Sequence, residues 1–407
     1  MSTDSRISGG RRHTRGVAGD ELRRHNLGTI LERLHLSGPE SRSDLVAATG
    51  LNRSTIGDLV GQLTDLGMVE ETADPAASGP GRPSPLVQTR PQGATVLAVE
   101  LAVDSVAVAT VGLGGHIYNR LRVERPRGHR SPDETILDVS RLAEPLLDAL
   151  PARKTLAGIG VAVVGITRRS DGFVHFAPNL GWRDIPLGEL FARELALDVP
   201  VMVANEADLG AWGEYRRGHR PVGHLVYVSG EVGIGVGAII DGKPLLGAAG
   251  YAGEAGHMLI NPAGVECRCG ASGCWETEAG EAALVRRMPH SDGTTGAAVV
   301  DAMAQRAAAG HAPSRRALSQ VGRWLGLGIG NLINIFNPEV VVLGGLYQRI
   351  FSFVEAAVVE AAERTALAAP RQMATIAASE LGADAPLFGA AELVLAGVIA
   401  DPARAES

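Results

Sequence analysis

Every cysteine of the chain falls in one eight-residue run, Cys267-Arg268-Cys269-Gly270-Ala271-Ser272-Gly273-Cys274, and His257 stands ten positions upstream in Gly253-Glu254-Ala255-Gly256-His257. Thiolate sulfur and imidazole nitrogen are donors that suit a borderline-soft divalent ion, and four of them close a tetrahedron around Zn2+. A Cys3His set leaves no open position for a catalytic water. The expectation is therefore a structural zinc site held by His257, Cys267, Cys269 and Cys274. Gly264, Gly270 and Gly273 supply the tight turns that so short a loop needs. The plain alternative is three reduced thiols that share a loop without a metal.

The same stretch resembles the zinc and sugar-binding signature of the ROK family of bacterial sugar kinases and sugar-responsive repressors. The resemblance rests on Glu254-Ala255-Gly256-His257, the cysteine run and Glu276 after Trp275. It continues through Pro178-Asn179-Leu180-Gly181-Trp182, Ala204-Asn205-Glu206-Ala207-Asp208, Gly233-Ile234-Gly235-Val236-Gly237 and the Asn337 to Gly345 run, and spans about residue 95 to the C-terminus. It implies an α/β, two-lobed, actin-like sugar-kinase fold. A sugar ring offers hydroxyls that donate and accept at once, which carboxylates and amides can bind in pairs. By resemblance the sugar contacts are Asn205, Glu206, Glu254, His257 and Glu276, with Asn179 as a weaker sixth, and His257 puts one ring nitrogen on zinc and the other toward the sugar.

The positions that serve phosphoryl transfer in the family's kinases differ. Those kinases place an Asp after the Asn as base, whereas this chain has Glu206, a carboxylate shifted by about 1 Å, which can cost on the order of 100-fold in a positioned reaction. Their first phosphate loop, Asp-x-Gly-Gly-Thr-Lys, is replaced by Glu100-Leu101-Ala102-Val103-Asp104-Ser105, with neither the glycine pair nor the lysine. The second, Gly-Thr-Gly, is Glu231-Val232-Gly233. An anion site made of backbone amides needs close approach and positive potential, and both are compromised. Gly344-Gly345, which flanks adenine in the kinases, is kept as a turn.

Ahead of these motifs lie three helical patterns. Leu22, Leu27, Ile30, Leu31 and Leu34 recur at helical spacing, Ser43 to Thr49 gives a short helix closed by Gly50, and a third helix from Asn52 or Ser54 turns Ile56, Leu59, Val60 and Leu63 inward. Ser43, Asn52, Arg53, Ser54, Thr55 and Asp58 stay outside, as in a helix-turn-helix whose second helix enters a major groove. Gly67 to Glu71 leads into a wing, and Ser78 to Leu86 supplies its tip and return strand, with Arg82 suited to a narrow minor groove. The set resembles the winged DNA-binding domain of ROK repressors. The alternative for the helices alone is a small bundle.

Division of the chain follows: a flexible basic arm over 1–19, a winged helix-turn-helix over 20–90, a first lobe over 91–204 joined by a C-terminal helix at about 384–400, and a second lobe over 205–383 with the zinc loop 257–274. Thr95 to Val103, Ser105 to Val111 and His116 to Val123 read as a strand and hairpin, and Leu225 to Ser229 with Gly233 to Ile240 repeat the pattern, which suggests a duplicated lobe around a cleft. Leu156 to Val164 and Val199 to Ala204 read as buried parallel strands, and Arg315 to Phe336 as a long helix.

Composition narrows the classes. A chain of 407 residues with net charge −7 and 45% hydrophobic residues forms two or three domains. Residues 1–60 carry nine arginines against seven acidic residues, so contact with nucleic acid belongs to the front of the chain. No run reads as a membrane span or a signal core, which points to the cytoplasm. The expected function is a sugar-responsive transcriptional repressor, not an enzyme, with operator DNA, a sugar or sugar derivative and structural Zn2+ as partners. Helix-turn-helix proteins read paired half-sites, so a homodimer or homotetramer is expected. The rival is an ATP-dependent sugar kinase with an appended DNA-binding domain, and a zinc-stabilised binding protein without regulatory output stands behind it.

Overall fold

The computed structural model describes residues 13–73, 85–150, 155–218, 222–287 and 296–403. Helix α1 (His13–Ser37) begins inside the stretch read as a flexible arm, which corrects that expectation for residues 13–19. Ala18, Glu21 and Leu22 favour a helix and the first proline is Pro39, so α1 extends backward despite Gly16 and Gly19. Residues 1–12 and the wing tip with Arg82 lie outside the described residues.

α1 buries Leu27, Ile30, Leu31 and Leu34. A two-residue strand β1 (Glu40–Ser41) leads into α2 (Arg42–Thr49), where the Ser41 hydroxyl accepts from Asp44 N–H and the Asp44 carboxylate returns the bond in a capping box. Gly50, at φ +70°, ends the helix in the left-handed region that favours glycine. Asn52 then caps α3 (Arg53–Asp65), whose inner face buries Ile56, Leu59, Val60 and Leu63. Antiparallel strands β2 (Val69–Thr72) and β3 (Leu86–Thr89) complete a sheet of order β1-β3-β2.

Two larger sheets follow. The first contains β4 (Thr95–Leu101), β5 (Ser105–Gly112) and β6 (His116–Glu124) as an antiparallel meander. After α4 (Pro132–Asp148), β7 (Leu156–Val163) returns parallel to β4. A small sheet of β8 (Ile166–Arg168), β9 (Phe173–Ala177) and β10 (Trp182–Pro186), then α5 (Leu187–Leu195), precede β11 (Val201–Asn205), parallel to β7. The second lobe starts with α6 (Glu206–Arg217) and repeats the meander with β12 (Leu225–Gly230), β13 (Ile234–Ile240) and β14 (Lys243–Pro244). Helices α7 (Trp275–Ala279), α8 (Glu281–Arg287), α9 (Ala297–Ala308) and α10 (Ala312–Phe336) separate it from β15 (Val340–Gly345), which returns parallel to β12. Then come α11 (Leu346–Thr365), α12 (Ala368–Met373), β16 (Thr375–Ala378), parallel to β15, and α13 (Ala385–Ala400). The orders β6-β5-β4-β7-β11 and β14-β13-β12-β15-β16 are the same path walked twice, as the repeated hairpin pattern suggested.

Element ends differ from expectation where proline decides. β11 starts after Pro200 rather than at Val199, and α10 starts three residues early because Pro313 is tolerated in a first turn. The expectation that no segment is long and apolar enough to span a membrane is also corrected: Gly382–Ala400 passes by length and composition. Its residues are mostly buried against the first sheet and α6, the setting of a core helix. Where α6 and α13 cross, their backbones nearly touch: a Cβ on Gly213 would lie 2.3 Å from Ala385 O, and one on Gly389 1.8 Å from Leu209 O. The core of the first sheet runs on without a break through α13 into the N-terminal domain, joining Val96, Ala107 and Leu395 to Leu27, Leu31 and Leu34.

Candidate functional site

The four expected metal ligands converge. Zn–S bonds of about 2.3 Å in a tetrahedron put neighbouring donors about 3.7 Å apart. Here Cys269 Sγ lies 3.6 Å from Cys274 Sγ, Cys267 Sγ 3.7 Å from His257 Nδ1, and all four donors lie within 4.8 Å of one another. The loop closes through Cys267 N–H to Ala271 O and Gly270 N–H to Cys267 O. Gly273 is at φ +76°, and a Cβ there would strike Asn261 O at 1.8 Å, so only glycine fits. Backbone hydrogen bonding at Ala271 draws the Cys269 thiol down, while burial pushes Cys267 and Cys274 up. A bound cation reverses that preference by stabilising the thiolates. The donor set and its spacing fit a closed four-coordinate site.

Around it stand the residues expected at a sugar. With Nδ1 facing Cys267, the His257 ring leaves Nε2 toward Glu254, 3.9 Å from Oε2. Glu276 Oε1 lies 3.0 Å from Cys267 Sγ, and its other oxygen abuts Gly233, where a Cβ would come within 2.2 Å. Asn179, from the first lobe, accepts a 2.7 Å hydrogen bond from Arg268 Nη1, so the cysteine loop reaches the first lobe. Asn205 spends its oxygen capping α6, accepting from Ala207 and Asp208 N–H, and donates Nδ2 to Gly165 O at 2.9 Å. It therefore orients the α6 terminus as well as facing the cleft. Arg268 and Asp208 were not singled out as site residues from sequence. Asp208 lies three positions after Asn205, on the same helical face, and burial pushes its carboxyl up to about 7, with Arg169 pulling down and Glu254 pushing further up.

Glu206 lines a cavity with Ser229 and Gly230 at its wall. It is buried, accepts from Ser229 Oγ at 3.1 Å, and shares a cavity with Glu100, Asp104, Glu231 and Glu281. Burial and the Glu100 charge raise Glu206 to about 7, and burial with Glu206 and Glu100 raises Glu231 further. The arginines lining the cavity are engaged by the chain's own carboxylates: Arg122 Nη2 donates to Glu100 at 2.6 Å, and Arg127 to Asp104 at 3.1 Å and to Glu281 at 2.9 and 2.7 Å. The amide of Glu231 donates to Gly233 O at 3.1 Å, inside its own loop. A polyphosphate entering here would meet buried carboxylates and cations that already have partners.

At the other end of the molecule, Ser43, Asn52, Arg53, Ser54 and Asp58 are exposed on α2 and the start of α3, and Thr55 is half-buried. Asn52 Oδ1 accepts from Thr55 N–H at 2.9 Å and Ser54 Oγ at 2.7 Å, so these two polar side chains secure the helix start while Arg53 projects free of that cap.

Comparisons with known proteins match this geometry. The sequence model of the ROK family matches residues 96–396. The xylose repressor of Bacillus subtilis (strain 168) is 33% identical over 324 residues, 79% of this chain and 82% of the repressor. A glucokinase of Streptomyces coelicolor is 29% identical over 317 residues, 73% of this chain and 96% of the enzyme. The crystal structure of a ROK family transcriptional regulator, homologous to the Escherichia coli Mlc protein, aligns with TM-score 0.75 at 25% identity, over 94% of this chain and 98% of its own. Coverage of 94% takes in the N-terminal domain as well as the lobes.

Proposed function

Since this chain belongs to the ROK family, we propose that it is a sugar-responsive transcriptional repressor whose N-terminal domain binds operator DNA and whose cleft binds a sugar. The observation that carries the proposal is a helix-turn-helix domain built onto a kinase-like body whose phosphate side is filled by its own carboxylates and ion pairs. Arg53 and its neighbours on α3 face the major groove, Arg82 serves the minor groove, and phosphate contacts set the register. Asn179, Asn205, Glu254, His257 and Glu276 bind the sugar hydroxyls. Glu206 closes the far wall of the pocket instead of serving as a base. His257, Cys267, Cys269 and Cys274 hold a structural Zn2+, which when bound clamps the loop and fixes the His257 ring. Copies of the chain pair on a two-fold operator, in the cytoplasm with the chromosome.

Sugar changes operator binding only if it prefers one lobe arrangement, because equal affinity for both would shift nothing. The test titrates labelled duplexes tiling the DNA around the chain's own gene, with and without a panel of aldopentoses and aldohexoses. Release of one duplex by one sugar is expected, with no sugar phosphate formed when ATP and Mg2+ are added. Phosphorylation at about 1 per second, ordinary for an enzyme, would assign the kinase function instead.

A further inference from the structure

α6 touches both ends of the proposed circuit. Asn205 caps its start, where Glu206 and Asp208 face the cleft, and Arg216 and Arg217 finish it against α1 of the N-terminal domain. The two ends are about 18 Å apart along a stiff rod.

The junction at the far end is built around Glu392, the one ionisable residue in α13 and buried there. Its Oε1 accepts from Arg217 Nε at 2.6 Å, its Oε2 from Arg216 Nε at 3.3 Å, and His35 Nε2 lies 3.0 and 3.1 Å from the two oxygens. Gly114 N–H donates to His35 Nδ1 at 2.9 Å, and Arg217 Nη2 also meets His35 Nε2, so both ring nitrogens are engaged in the junction. Arg217 Nη1 also donates to His35 O at 2.8 Å, and Arg216 Nη1 to Glu32 at 2.5 Å. Burial alone would raise Glu392, but the bond from His35 and the arginine charges outweigh it and hold the carboxyl at about 2. Two turns along, a Cβ on Gly28 would lie 2.8 Å from Ile399 O. The pairs 28 with 399 and 35 with 392 are each seven residues apart on their helices, so α1 lies antiparallel along one face of α13.

We propose that the cluster of Arg216, Arg217, Glu392 and His35 is the joint through which displacement of α6 at the sugar end is passed to the DNA-binding domain. A buried charge cluster between rigid helices has few arrangements available. It passes on a shift of the α6 terminus rather than absorbing it. The inference rests on the repressor reading above. Arg216 and Arg217 are positioning residues, remote from both ligands, so their loss should uncouple the sites without removing either.

The test uses the full chain with Glu32→Gln, which weakens the joint from a half-exposed side chain, and Arg217→Gln, which breaks it from the buried side. One arm needs neither sugar nor DNA: amide exchange in residues 27–36 should rise about tenfold in Arg217→Gln, with the exchange of β4 and β12 unchanged. The other compares operator affinity with and without the releasing sugar. The wild-type ratio, expected in the 5–150-fold range of such couplings, should fall to within about twofold of unity in Arg217→Gln and part of the way in Glu32→Gln, while sugar affinity stays within about twofold. Unchanged exchange, or wild-type ratios in both variants, would overturn the joint and leave the repressor reading standing. A wild type that ignores every sugar would overturn both.

Discussion

Glu206 is a carboxyl that the fold prefers to keep protonated. It titrates at about 7 in place against an ordinary 4.5, because burial and Glu100 oppose its charge. The folded state therefore binds the proton more tightly than the unfolded chain, and stability drains away as pH rises from about 4.5 to 7. Glu206→Gln cannot ionise and can still accept from Ser229. It should raise stability by up to about 3 kcal/mol at pH 8 and change little at pH 5, as read by thermal melts at the two pH values. Cys269→Ser should cut zinc, measured by metal analysis, from about one equivalent per chain to a small fraction, and lower the melting temperature in step, since metal affinity here is folding free energy. The clustering of His257, Cys267, Cys269 and Cys274 was legible in the sequence because they fall in one short run whose chemistry is local. Arg268 was not, because its partner Asn179 lies in the other lobe, 89 positions away. The charge of Glu231 was legible, whereas the engagement of Arg122 and Arg127 by carboxylates was not, since each pairing joins distant segments.

At the scale of elements, the strands and their duplicated order could be read from alternation and glycine turns, and the helix-turn-helix from caps and apolar spacing. What spacing could not show is how α6 and α13 meet. α13 is apolar on every face, so periodicity names no inward side, and only the lone Glu392 hints at a polar partner. The contact itself is set by glycines that remove side chains where two backbones pass. Gly389→Ala would force a Cβ into Leu209 O, main chain that cannot rotate away. The expected cost is about 3 kcal/mol, the upper part of the overpacking range, seen as a melting temperature lowered by several degrees. Gly397→Ala is the control on the same helix, because a Cβ there has open space. Its helix propensity gain should leave the melt unchanged or slightly higher.

At the scale of the whole molecule, one unbroken core runs from the first lobe through α13 into the N-terminal domain, so the N-terminal helices are seated on the two-lobed body instead of hanging from a linker. The boundary drawn in the sequence near residue 90 follows a change of pattern, and burial crosses it. Coupling between two such ends must be reciprocal, because linkage requires operator DNA to change sugar affinity by the same factor that sugar changes operator affinity. Calorimetric titration of the releasing sugar into free protein and into the operator complex should give dissociation constants whose ratio equals the ratio of operator affinities with and without sugar. Glu254→Gln tests which end carries the signal. The carboxylate stands beside His257 in the cleft and touches nothing in the helix-turn-helix. The substitution should remove the sugar response while leaving sugar-free operator affinity within about twofold, since a hydroxyl partner is lost and the DNA face is intact. Unequal ratios in the wild type would mean that sugar and operator do not act on one two-state body. A Glu254→Gln protein that still releases DNA on sugar addition would place the sugar elsewhere than beside the metal loop.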